Sequence, residues 1–485
     1  MVDSILRAIK DNAVKTPGKI CLRDFKGEIS YSDYFELIEK NATYFVSKGI
    51  KSGDYVVIRA EQTVDYLAAF HAVQLAGGIP VPLEKNVKSE RVREVCTLVK
   101  AKLSVDAQSE AENVTYDDIR KNKKFAHGFT LPSCEDVAEV LFTTGTTGKS
   151  KGVVMTHGAD VAVAENVIYG VEMKKDNTEV IPMPLNHSFA LRRYYANMLN
   201  GSTAILLDGV VFVDRFFECF DKYGAVSAAL APAALSIILK LSGDKLKDYD
   251  GKIDYFQMGS AHLGEKEKNT LLSLLPSARL YNFYGSSEAG CSCILNFNSE
   301  DNLPYCIGRP TKNSKIIFVG DDGTSVFTDR DNPARLTTGG KMLMKEYFCD
   351  RELTNETLIA GAVFSNDSGY TDEDGRVFML GRSDDVIISG GNKISPAEVE
   401  SVCLQYEGIE ECALTGRKDN VAGEIPVLYA VVTEAYSEEK FMEFLAGRLE
   451  RFMLPKIIRK VKELPKSFNG KILRKELKKT EGGIS

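Results

Sequence analysis

Two periodicities alternate along the first part of the chain. Over residues 33–49, Tyr34, Leu37, Ile38, Ala42 and Phe45 fall on one helical face and Gly49 stops the run, which predicts an amphipathic helix. Residues 55–58 form a short apolar run and predict a strand. Thr63 is placed to cap a second helix through Val64, Leu67, Phe70 and Val73, closed by Gly77-Gly78. A further strand is predicted over 204–207 and a helix over 213–223. Such alternation predicts an α/β class with a partly parallel sheet.

The pattern changes over 336–380, which is turn-rich and strand-like, with Asp372-Glu373-Asp374-Gly375 as a turn between Tyr370 and Val377. From Asp385 it restarts: a strand over 386–388, a glycine turn, a helix from Ser395 through Gln405, and a strand over 427–432. A domain boundary is therefore expected at Asp384-Asp385, giving domains 1–384 and 385–485. No internal repeat and no low-complexity tract interrupts the chain.

Composition narrows the function classes. With 485 residues the chain exceeds a single core. A net charge of −7, with no basic block outside the C-terminal end, argues against a nucleic-acid partner. No stretch approaches the ~20 apolar residues of a membrane span, and the N-terminal segment lacks the apolar core of a signal peptide. The ten cysteines lack metal-ligand spacing; free thiols in a reducing cytoplasm are expected.

The densest chemical signal is Leu141-Phe-Thr-Thr-Gly-Thr-Thr-Gly-Lys-Ser-Lys-Gly-Val153. Glycines let backbone N–H groups approach an anion, hydroxyls add donors, and lysines supply charge for phosphates. A polar hairpin turn rarely gathers so many of these together. Gly148-Lys149-Ser150 mimics the end of a Walker loop. However, Thr143 stands where that loop needs glycine, and a strand, 153–155, is expected to follow where a Walker loop leads into a helix.

This segment resembles the signature loop of the adenylate-forming superfamily: acyl- and aryl-CoA ligases, peptide-synthetase adenylation domains and luciferases. The family usually has proline where this chain has Ser150, and its next lysine matches Lys151. Four further segments follow in the family's order. Tyr281-Asn-Phe-Tyr-Gly-Ser-Ser-Glu-Ala289 resembles the aromatic–Gly–x–Thr–Glu motif, with Ser287 for threonine. Phe364-Ser-Asn-Asp367 stands where the family has Thr-Gly-Asp. The run from Gly381 to Pro396 is similar to the hinge and glycine loop. Lys466-Ser-Phe-Asn-Gly-Lys471 resembles the C-terminal Ser-Gly-Lys segment, with Asn469 for serine.

The resemblance implies a large N-terminal domain of α/β subdomains plus a β-rich subdomain, and a small mobile α+β C-terminal domain. It implies an ATP and AMP site made by Thr143, Thr144, Gly145, Thr146, Thr147, Gly148 and Lys151. To these it adds Gly259-Ser260-Ala261, then Asn282, Phe283, Tyr284 stacked near the adenine, Gly285, Ser286 and Ser287 reaching the α-phosphate, with Asp367 on the ribose and Arg382 on the ribose or phosphate. Glu288, with Thr144, would hold Mg²⁺, a hard cation suited to carboxylate and phosphate oxygens. Asp385 would be the hinge, Gly390 and Gly391 would line a pantetheine tunnel, and Lys471 would bridge the attacking carboxylate and the α-phosphate.

The chemistry implied is carboxylate attack on ATP, giving an acyl-adenylate and pyrophosphate, followed by thiolate attack. Two anions must meet, so positioning and charge neutralisation carry the first step. By the same resemblance the acyl pocket would lie near Met183-Pro-Leu-Asn-His-Ser-Phe189, Gly259-Ser-Ala261 and Tyr284, with His187 where many acyl- and aryl-CoA ligases carry a histidine beside the acyl group; no Asp appears over 185–191 to bind an amino acid's ammonium. Arg192-Arg193 reads as a solvated helix face or a CoA phosphate contact, with recognition of a second substrate carboxylate as the alternative. The expected partners are a small carboxylic acid and CoA, or else a separate carrier protein's phosphopantetheine. A non-catalytic nucleotide-binding paralogue is disfavoured by the presence of Lys471, Glu288 and Asp367. His157 is expected to be structural.

Overall fold

The computed structural model describes residues 2–107, 111–144, 150–261, 263–320, 323–382, 384–466 and 472–479. The predicted N-terminal elements form close to their expected places. The first helix is Tyr31–Ser47, starting two residues before Asp33 because Ser30 caps it and accepts from the Asp33 amide. Tyr34, Ile38, Ala42 and Phe45 are buried, as the stripe required, and Leu37 is half-buried. Thr63 caps Val64–Leu75 through the Tyr66 amide. That helix is buried nearly all round, which one apolar stripe did not disclose. The later strand and helix are Thr203–Leu206 and Val213–Lys222.

Among the described residues, four parallel strands, in the order Ile79–Leu83, Tyr55–Arg59, Leu103–Val105 and Glu112–Val114, make one small sheet. A 14-stranded sheet dominates the molecule. Its centre is parallel and holds Arg279–Ser286, Tyr255–Met258, Ser227–Leu230, Thr178–Ile181 and Thr203–Leu206. On the far side of Arg279–Ser286 the sheet becomes antiparallel, through Gly290–Asn296, Cys306–Pro310, Val377–Arg382, Ala362–Thr371 and Ala334–Gly340. This is the strand-rich region expected over 336–380. The Asp372 turn joins two paired strands there, and one helix, Arg351–Thr357, was not foreseen.

A third sheet is built on the hairpin Val137–Thr144 and Ser150–Thr156, in register Leu141 to Val153 and Thr143 to Lys151, with Glu346–Tyr347 at its edge. The fourth sheet holds Ile387–Ser389, Asn392–Ile394, Gly423–Val432, Ile409–Asp419 and Ile457–Lys460. It packs the helices Pro396–Cys403 and Glu438–Ala446 around its own core of Ile387, Val399, Leu414, Leu428, Phe441 and Leu445. The fold is thus mixed α/β, with a large N-terminal domain and a small C-terminal one. All ten cysteines are free thiols. No described helix is long and apolar enough to cross a membrane.

Candidate active site

A hairpin carries the phosphate-loop segment: one strand enters at Val137 and another leaves at Ser150, as expected for a loop that is not of the Walker type. Gly145, Thr146, Thr147, Gly148 and the Thr144 side chain lie outside the described residues. Lys151 is described. Its Nζ stands 5.4 Å from the centroid of the Tyr347 ring. Tyr347 in turn donates its hydroxyl to Glu288 Oε1 at 2.7 Å, and the Met344 amide donates to the Glu288 carbonyl at 2.8 Å. A lysine and a carboxylate 137 positions apart are thereby gathered around one tyrosine. Burial and the neighbouring Glu288 push the Tyr347 phenol well above its ordinary value, so it stays a donor.

The strand Arg279–Ser286 delivers Asn282 and Tyr284 to the same face, because side chains alternate along a strand. The Tyr284 hydroxyl donates to Asp367 Oδ2. Burial, then Asp367, raises the Tyr284 pKa far above the phenol range, which keeps it in the donor form. Asp367 lies within the strand Ala362–Thr371. There Asp367 is paired with Arg382, and its amide donates to Ser365 Oγ at 3.0 Å. Arg382 reaches Asp384 at 3.1 Å.

Ser287 Oγ lies 2.9 Å from Ser188 Oγ. Ser188 opens the helix Ser188–Asn200, with His187 at its N-cap position. The proposed α-phosphate residue and the proposed acyl-pocket histidine therefore sit side by side. Burial lowers the His187 pKa, so the imidazole is neutral at pH 7. At Gly259 the backbone runs close against Phe189: a Cβ there would stand 3.0 Å from the Phe189 ring carbons. Ser260 is in the left-handed region, φ +72°.

In the C-terminal domain Gly390 and Gly391 have φ of +57° and +84° and form the exposed tip of a hairpin. Asp385 lies 3.9 Å from Arg474 Nη1, whose other nitrogen grips both Glu400 oxygens. Lys471 lies outside the described residues.

The Arg192-Arg193 pair is not a solvated face, which corrects the reading of a charge run. Both residues are buried. Arg193 donates through Nε to Glu179 at 2.8 Å and through Nη2 to the Tyr255 hydroxyl at 2.9 Å, and Asn197 donates to the other Glu179 oxygen. Removing one partner of such a pair costs about 3–5 kcal/mol. Arg192 donates to the carbonyls of Ser286 and Ser287, at 2.9 Å each. Both guanidinium groups are thus engaged with partners inside the protein.

Sequence reading also missed Tyr347 and a buried pair of acids, Glu139 and Asp160. Glu139 was detectable, because a carboxylate in the apolar run Val-Ala-Glu-Val-Leu-Phe demands partners. Tyr195 donates to Glu139 at 3.1 Å. Burial raises both acids, Glu139 to about 7. A carboxyl whose folded pKa is raised stabilises the fold fully below its unfolded value and loses that contribution as pH rises through the folded one. Stability should therefore fall as pH climbs from 4.5 to about 7, by up to ~1.4 kcal/mol per pH unit for one proton. Denaturant titrations across that range should show a slope that Glu139→Gln reduces; an unchanged slope would refute the assignment.

The family described as AMP-binding enzyme matches residues 9–348, and its C-terminal domain matches 398–471. The chain belongs to the AMP-binding enzymes of the adenylate-forming superfamily. Among curated relatives of this AMP-binding enzyme, 4-coumarate–CoA ligase 3 of Arabidopsis thaliana is 26% identical, with 93% of this chain and 86% of the relative aligned. ATP-bound MatB from Rhodopseudomonas palustris superposes with a TM-score of 0.90 at 22% identity, covering 100% of this chain and 99% of that one. O-succinylbenzoate coenzyme A synthetase of Bacillus subtilis, with ATP and magnesium ion, gives a TM-score of 0.85 at 21% identity over 97% and 99%.

Proposed function

We propose that this AMP-binding enzyme is an AMP-forming acid–thiol ligase. In this reading ATP converts a carboxylic acid to an acyl-adenylate, and the thiol of CoA then takes the acyl group. The observation that carries the proposal is the convergence of three sites. The Tyr284–Asp367 pair would take a nucleoside, Ser287 stands against the His187-Ser188 helix start, and Glu288 stands beside Tyr347 and Lys151. The relatives named for CoA ligation support the acceptor.

The residues fit a nucleotide. Asn282 Oδ1 is buried with no hydrogen-bond partner, and an exocyclic amine of a base would supply the missing donor. Asp367 would accept from ribose hydroxyls while Tyr284 fixes its orientation. Ser287 and Lys151 would meet phosphate oxygens. Glu288 would hold Mg²⁺, which offsets phosphate charge when bound. His187, neutral and partly buried, would border the acid and help exclude water. Lys471 would neutralise the reacting oxygens, and movement of 385–485 about Asp385 would then bring Gly390-Gly391 to the thiol.

The test is a panel of carboxylic acids with ATP and Mg²⁺, read as pyrophosphate release with and without CoA. Release of AMP together with an acyl-CoA is expected. Adenylate that CoA never accepts, but a purified phosphopantetheinyl carrier protein does, would shift the acceptor to the carrier. No pyrophosphate with any acid would overturn the assignment.

A further inference from the structure

The Arg192 guanidinium is the meeting point of three segments assigned to the nucleotide site. It extends from the helix Ser188–Asn200 and donates through Nη1 and Nη2 to two consecutive carbonyls, Ser286 and Ser287, at 2.9 Å each. Glu288 is the next residue. Also near Arg192, and attracted to its charge, are Glu139, on the strand that enters the phosphate loop, and Asp160, on the helix that follows it. Cys291 adjoins the same group, and Tyr195 donates to Glu139. Two carboxyls side by side in a buried site cannot both ionise readily, so once Glu139 ionises, at about pH 7, the pair keeps one proton and one negative charge. That single charge balances the single charge of Arg192.

We propose that Arg192 is a positioning residue for the turn 286–288, its planar fork fixing Ser287 and Glu288, with Glu139 and Asp160 as its buried counter-charge. The proposal rests on the nucleotide roles given above to Ser287 and Glu288. A fork satisfies two carbonyls at fixed spacing, whereas an ammonium offers a point charge and cannot reproduce that geometry. Both carbonyls stay satisfied without substrate, so the turn is held ready before ATP arrives.

The experiment compares ATP binding by calorimetry at several Mg²⁺ concentrations in the full chain and in Arg192→Lys. ATP without Mg²⁺ should bind Arg192→Lys within about threefold of the parent, because the adenine and ribose contacts are untouched. The Mg²⁺ concentration needed for half the full enhancement should rise about tenfold, since a preorganised ligand has been loosened. Should Arg192→Lys fail to fold, Arg192→Met with Glu139→Gln removes both charges together, and the Mg²⁺ defect should persist in that folded double variant. A parent-like Mg²⁺ response in either variant would overturn the proposal, leaving Arg192 as a counter-charge only. Glu288→Gln is run in parallel. If it loses the Mg²⁺ response while Arg192→Lys keeps it, the positioning role alone fails. If Glu288→Gln keeps the response, the role of Glu288 fails and the positioning role with it.

Discussion

Replacing Lys471 with alanine is expected to slow acyl-adenylate formation about 10²- to 10³-fold, the range seen when one group stabilising developing charge is removed. Thioester formation from a preformed adenylate should change little. The first step brings a carboxylate onto a triphosphate and needs a cation between them; the second has already lost pyrophosphate. Lys471 precedes the helix Arg474–Lys479 by three residues. That helix is anchored, because Arg474 pairs with Glu400 and the Leu477 carbonyl accepts from Tyr429. The described chain that follows position 471 is therefore fixed within its domain, and the alanine variant should fold normally. Separate assays of pyrophosphate release and of thioester formation check this. An equal loss in both would remove Lys471 from its assigned place in the first step only.

Glu288→Gln is expected to lower the rate of adenylation by about 10²-fold and to raise the Mg²⁺ requirement, since one hard anionic ligand is lost. The substitution isolates charge from structure. A glutamine still accepts from the Tyr347 hydroxyl, and the bond from the Met344 amide goes to the backbone carbonyl. Its melting temperature should stay close to the parent value. Adenylation kinetics over a Mg²⁺ series provide the check, and a rate that saturating Mg²⁺ restores in full would limit Glu288 to metal affinity.

Local periodicity made much of the fold legible. Thr63 as a cap and the strand runs at 55–58 and 204–207 depend on neighbours in sequence, and the structure placed them within one or two residues. The site's ordered motifs were visible for the same reason. What stayed hidden depends on distant partners. Nothing near Arg192-Arg193 distinguishes a solvated pair from one that reaches Glu179 and two carbonyls more than ninety positions away. Tyr347 lies in a segment with no strong period, and only the pairing of Glu346–Tyr347 with Val153 and Val154 brings it to Glu288. Asp367 was legible as a motif residue but not as part of a long strand, because that strand is set by partners on either side.

The C-terminal sheet has a core of its own, built on Leu414, Leu428, Phe441 and Leu445. Inherited damage to this protein can therefore strike the small domain and spare the large one. A substitution that hollows out Phe441 would leave Tyr284, Asp367 and Glu288 standing on an intact large domain, while the small domain loses its core. Such a chain would still capture ATP and yet turn nothing over, and in a cell that holds both forms it would compete for nucleotide as a decoy.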